Sequence, residues 1–154
     1  MSCGIGLRLT PDDGRINFGQ MSTSDLNNGR SVTRELTLSV GRREACDRNQ
    51  NITMTFNPDT KGLISGASAA FSQGVMRLDN NTRIEIRDKS NNAAIDLTLG
   101  TKFNFGTLQQ QTTGVTANPR KIDKIFSFTW KRDGTSPVKV GAWNSQILLE
   151  IEGD

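Results

Sequence analysis

Histidine and tyrosine are absent from this chain, and cysteine occurs only twice. Without histidine, the commonest general base and the commonest metal ligand are missing. Two thiols cannot complete a structural zinc site, which needs further good ligands. No nucleophile–base pair is visible, so neither catalysis nor a cofactor nor a metal is expected. No apolar run approaches the length of a membrane-crossing helix. Only Met1 and Ser2 precede Cys3, so an exported protein would be present here in mature or engineered form. A basic stripe interleaved with aromatics, the mark of a nucleic-acid surface, is also missing. Net charge is +3, but Lys and Arg are scattered. The densest basic pieces, Gly41-Arg42-Arg43 and Lys131-Arg132, read as solvated loops.

What the chain has is alternation. At 154 residues it has room for one domain, residues 1–154, with a sizeable core. Hydrophobic residues make up 34%, a share that suits strands burying one face each. Ile5, Leu7 and Leu9 alternate with Gly6 and Arg8, and Cys3 falls on their face. Residues 11–14 mark a turn and Arg15 to Gly19 a second short strand. Residues 22–30 read as a loop. Val32, Leu36, Leu38 and Val40 predict a longer strand, followed by a charged loop over 41–49 that holds Cys46. Ile52, Met54 and Phe56 face inward in the next strand, and the glycine-rich stretch 66–74 reads as a loop. Residues 83–87 and 94–99 form a predicted hairpin around a turn at 88–92. Phe103 and Phe105 share a short strand, residues 109–119 a loop. Phe126, Phe128 and Trp130 line one face of the most aromatic strand. Short strands at this spacing, with scarcely any helix, predict an all-β sandwich of about seven strands.

The C-terminal segment carries the most functional information. Gly141, Trp143, Ser145, Ile147, Leu149 and Ile151 fall on one face of a final strand, with Glu150 and Glu152 on the other. The apolar face requires burial, yet the sequence stops at Asp154 with nothing after it to pair with the strand's free edge. Such a strand either sits inside a sheet by topology or accepts a strand from another chain.

In order and spacing these pieces resemble a chaperone–usher pilin, the subunit of bacterial surface fimbriae. The likeness rests on Cys3-Gly4-Ile5-Gly6-Leu7-Arg8-Leu9, on Ile16-Asn17-Phe18-Gly19, on the Leu36–Val40 strand leading to Cys46, and on Gly141 opening the last strand. The chain departs from the pattern at Gly153, where the family has an aromatic, and in the stretch 41–45 that separates Val40 from Cys46. It also lacks the alternating extension before Cys3. This last difference points to the pilin domain of a two-domain tip adhesin, or to a shaft pilin without its extension.

The resemblance implies an incomplete immunoglobulin-like β-sandwich that lacks its final strand. Its groove would be lined by Ile5, Leu7 and Leu9 on one side and by Gly141, Trp143, Ser145, Ile147, Leu149 and Ile151 on the other. It implies a periplasmic chaperone that lends a strand and grips the terminal carboxylate at Asp154, and an outer-membrane usher. It further implies a neighbouring subunit whose N-terminal strand takes the chaperone's place. The cysteine count leaves a disulfide and two free thiols open; the resemblance implies a Cys3–Cys46 disulfide. It also implies export through the periplasm to a fimbrium and a structural role in cell adhesion. A reading from another class is a self-contained carbohydrate- or receptor-binding adhesin domain with a complete sandwich.

Other signals have plainer readings. Phe126, Phe128 and Trp130 could stack on sugar, but at strand spacing they read as core. Asp12, Asp13, Asp88, Glu150 and Glu152 lack a calcium-loop spacing or a defined cleft and read as solvated charges. Asn51 and Asn80 begin glycosylation sequons, which carry little weight in a bacterial protein. Gly141 either allows another backbone to approach or is a turn glycine.

Overall fold

The computed structural model describes residues 3–58, 74–98, 100–141 and 147–154. They form two antiparallel sheets around a shared core. The larger sheet runs β1 (Ile5–Thr10), β2 (Val32–Arg42), β8 (Lys121–Arg132), β5 (Thr82–Asp88), β4 (Val75–Arg77), with the two-residue β6 (Ala93–Ala94) also paired to β5. The smaller runs β7 (Lys102–Leu108), β3 (Gln50–Pro58), β9 (Ile147–Gly153). This all-β architecture is the predicted one, and alternation is its cause. Leu36, Leu38 and Val40 from β2, Ile52, Met54 and Phe56 from β3, Ile84 and Ile86 from β5, and Phe126 and Phe128 from β8 are all buried in one cluster.

Aromatic packing joins the sheets. Phe126 of the larger sheet meets Phe56 and Phe103 of the smaller one edge-on, with centroids 5.5 Å away in both cases. Such edge-to-face pairs set the positive ring edge against the negative face and each adds about 0.5–1.5 kcal/mol beyond burial. The aromatic strand is therefore core, as its spacing predicts. Beside this cluster β7 bulges: its register against β3 shifts between Ile52 and Thr53, and Gly106 supplies the φ of +139°. The bulge switches the strand's parity, so that Phe103 and Phe105 on one side of it and Leu108 on the other all pack in the core.

Several local expectations are corrected. Arg15 to Gly19 is not a strand. The Asp13 carboxylate accepts from the Arg15 amide, and the Asn17 side-chain oxygen from the Gly19 amide, so local side-chain bonds replace a ladder. Ile16 and Phe18 still pack on the core, Phe18 against Trp130 with centroids 6.1 Å apart. Within the expected loop at 22–30 lies a one-turn helix, α1 (Thr23–Asn27). Ser22 caps it by accepting from the Asp25 amide, Leu26 buries it, and Gly29 at φ +89° follows its end.

The two basic pieces are not loops. Gly41 and Arg42 finish β2, and Lys131 and Arg132 finish β8. The hairpin after β5 pairs at only two residues, although Ile95 and Leu97 are buried. Strand β4 had no counterpart in the sequence reading. Asp88, read as a solvated turn charge, is 2% exposed. Burial acts to raise its pKa, but Ser90, through hydroxyl and amide, and Lys124 at 3.2 Å outweigh that and hold it below the usual carboxylate range. All of the glycine-rich stretch except Gly74, together with Leu99, lies outside the described residues.

Candidate functional site

Each sheet ends in a strand that begins or finishes the chain. Strand β1 pairs with β2 on one side, and β9 pairs with β3 on one side. Among the described residues neither has a hydrogen-bonded neighbour on its second edge. Every second main-chain amide and carbonyl along these edges is thus available to another strand.

Register decides what faces the gap. Leu7 is opposite Val40 and Leu9 opposite Leu38; across the other sheet Leu149 is opposite Phe56 and Ile151 opposite Met54. These four partners are buried, Leu38 and Val40 completely. Their neighbours Ile5, Leu7, Leu9, Ile147, Leu149 and Ile151 pack against the same core yet stay only partly buried. Side chains on one face of neighbouring strands should share one environment. Here each sheet goes from dry to half-wet within one strand spacing, so the inward faces of both edge strands are incompletely covered, as the expected slot would require. The outward residues behave as predicted: Arg8, Glu150 and Glu152 are exposed, and Lys102 pairs with Glu152 and holds its carboxyl below the usual range.

The remaining expected slot residues fare differently. Trp143 and Ser145 lie outside the described residues. Gly141 is exposed and in no described strand, β9 being described over Ile147–Gly153. A Cβ on Gly141 would meet nothing within 4 Å, so crowding does not call for glycine there, although its φ of +158° favours one. On the outer face of β9 Leu148 is 61% exposed.

One end of this region is tied together by the disulfide that the resemblance implies, and by Gln50 and Gln111, which the sequence reading did not single out. Cys3 and Cys46 form a disulfide with their Cα atoms 4.8 Å apart. Cys46 in turn exchanges main-chain hydrogen bonds with Gln111 at 2.8 and 2.9 Å, fixing loop 43–49 to loop 109–119. Arg42, 4% exposed, points inward beneath this loop. Its guanidinium donates to the Gln50 side-chain oxygen and to the carbonyls of Arg48, Leu108 and Gln109. Burial lowers its pKa, and the nearby charge of Arg48 adds to that. The signal that could have marked Arg42 is its place in the alternation after Leu36, Leu38 and Val40.

Asp154 joins the same corner. Its carboxylate accepts from the Asn51 amide at 2.8 Å and the Asn51 side chain at 3.1 Å; its main-chain oxygen accepts from Arg48 at 3.3 Å and Gln50 at 3.4 Å. The residue expected to anchor a chaperone is thus held by this chain's own β3. Cys3, Cys46 and Asp47 gather three metal-type ligands, but the disulfide consumes both sulfurs as thiolate donors.

Against this geometry, comparison with solved structures gives a consistent fold. The crystal structure of the P pilus rod subunit PapA superposes with a TM-score of 0.55 at 15% identity, covering 99% of this chain and 97% of PapA. A chain from a chaperone–usher pilus structure, one concerned with rod uncoiling, superposes with a TM-score of 0.54 at 15% identity, covering 92% of this chain and 81% of that one. No protein-family model and no curated sequence matches. The chain has the fold of chaperone–usher pilus rod subunits.

Proposed function

We propose that this pilin-fold chain is a structural subunit of a chaperone–usher pilus, completed by a strand that another chain lays between β1 and β9. The observation that carries the reading is the slot: two strand edges without neighbours among the described residues, and six inward apolar side chains left half-wet beside a dry core. β-Augmentation uses both features, main-chain bonds along the edges and alternate side chains into the gap. During assembly the strand comes from a periplasmic chaperone, which an outer-membrane usher exchanges for the N-terminal strand of the next subunit. The protein is exported and ends on the cell surface in a fimbrium that serves adhesion. Its work is mechanical, without catalysis; the pilus proteins it resembles in fold are structural subunits. The assignment to a tip-adhesin pilin domain or a shaft pilin belongs to the same proposal.

A donor strand that buries four or five large apolar side chains contributes roughly 6–15 kcal/mol gross. That rivals the stability of a whole domain, about 5–15 kcal/mol. The empty chain is accordingly expected to be marginal and prone to self-association through the slot. A peptide of alternating apolar residues, added at a hundredfold excess over its Kd, adds about 2.7 kcal/mol. For a domain of this size that corresponds to a rise of roughly 5–10 °C in Tm. A scrambled peptide of the same composition is expected to do nothing. A monomeric chain whose melting the ordered peptide leaves unmoved would sink the reading in favour of a self-contained domain.

A further inference from the structure

One guanidinium reaches both walls of the slot. Arg48 Nη1 lies 3.2 Å from Sγ of Cys3, just before β1, and Nη2 lies 3.3 Å from the main-chain oxygen of Asp154, just after β9. Arg48 therefore marks the end of the slot where β1 begins and β9 finishes. An inserted strand cannot run past it without displacing it.

The residue is held at its backbone and underused at its head. Its carbonyl accepts from buried Arg42 at 3.1 Å, and two positions earlier Cys46 is locked by the disulfide. The residue itself is exposed, and its head is used at two points only: a disulfide sulfur, which accepts poorly, and one oxygen of the Asp154 main-chain carboxyl, which engages a single N–H. Among the described residues no side-chain carboxylate pairs with it. Asp47 has its carboxylate within 4.8 Å of the disulfide sulfurs, and the Asp154 carboxylate is taken by Asn51. Arg42 beneath it is a second cation whose partners are all neutral.

We infer that Arg48 is a specificity residue for the incoming strand, reading an acidic side chain at the strand end that stops against it. A carboxylate there would meet the planar fork with two parallel charge-assisted hydrogen bonds, a better match than a sulfur and a single oxygen on a single N–H. The occupant is thus a segment of a second protein chain with alternating apolar residues flanked at one end by Asp or Glu. The acid fixes which way along the slot, and how far, the segment slides, because a two-residue slip would satisfy the apolar pockets equally well. This inference rests on the strand-acceptance reading above.

Three peptides with one apolar core test it on the full chain: neutral at both ends, Glu at the N-terminal end, and Glu at the C-terminal end. One of the two acidic peptides is expected to bind roughly twofold to fivefold tighter than the neutral one, the upper span of an exposed ion pair. Added salt shrinks that difference. In Arg48→Gln the three peptides bind alike, and Arg48→Lys, with charge but no fork, keeps part of the preference. If the neutral peptide binds and neither acid improves on it, the Arg48 assignment is wrong while strand acceptance stands. A preference that survives Arg48→Gln or high salt also overturns it. If no peptide binds, the strand-acceptance reading fails and this inference with it. Should Arg48→Gln not fold, the comparison of peptides and salts on the parent chain still decides.

Discussion

Replacing both cysteines by alanine is expected to remove about 4 kcal/mol of stability, the loop-entropy value for a cross-link spanning 43 positions. At this chain length that lowers Tm by roughly 8–16 °C. Alanine avoids leaving a hydroxyl at Cys46, which is completely buried. The loss should concentrate on the slot, because the disulfide ties the start of β1 to a loop that Gln111 already anchors. β1 has only β2 beside it among the described residues, so a loosened start exposes one whole wall. Urea denaturation of the double variant beside the oxidised parent reads the effect. Equal midpoints would mean that the ladder to β2 alone holds β1 in place.

Arg42→Met is the second large effect. Methionine fills the volume but leaves the Gln50 side chain and the carbonyls of Arg48, Leu108 and Gln109 without their donor. Unsatisfied buried acceptors cost about 1–3 kcal/mol each before water reaches them, so a loss of about 3 kcal/mol is expected, the removal of a buried charge offsetting part of the cost of four bare acceptors. Arg42→Lys should fall between, since an ammonium offers three donors against the five of the fork. The readout is the denaturant midpoint of each variant under oxidising conditions. A methionine variant within about 1 kcal/mol of the parent would show that Arg42 stabilises nothing its neighbours cannot supply.

The strands were legible wherever one face is buried and the other wet. Ile52, Met54 and Phe56, or Phe126 and Phe128, alternate because the sheet does, and no tertiary knowledge is needed to see it. The inward pattern of the edge strands was legible for the same reason: Ile5, Leu7, Leu9, Ile147, Leu149 and Ile151, six of the nine residues expected to line a slot, pack against the core as the alternation predicts. That these six would be only half-buried was not, since burial depends on what lies across the gap. Arg42 was misplaced because charge outweighed position in the reading; its inward place follows from parity with Val40, and neutral acceptors make that place tolerable. Helix α1 was missed because one turn shows little periodicity, although Ser22 and Gly29 are its ordinary boundary residues. Arg48 carried no sequence signal; its role arises from the meeting of two chain segments about a hundred positions apart.

The central claim is that β1 and β9 each offer a bare edge to a strand from outside. Residue-resolved amide hydrogen exchange, with and without the ordered apolar peptide, measures those edges directly. In the free chain, amides of β1 and β9 that point away from β2 and β3 should exchange quickly, while β2, β3 and β8 are protected. Bound peptide should slow those edge amides on both strands together. Edge amides already protected in the free monomer, or unaffected by the peptide, would contradict the account.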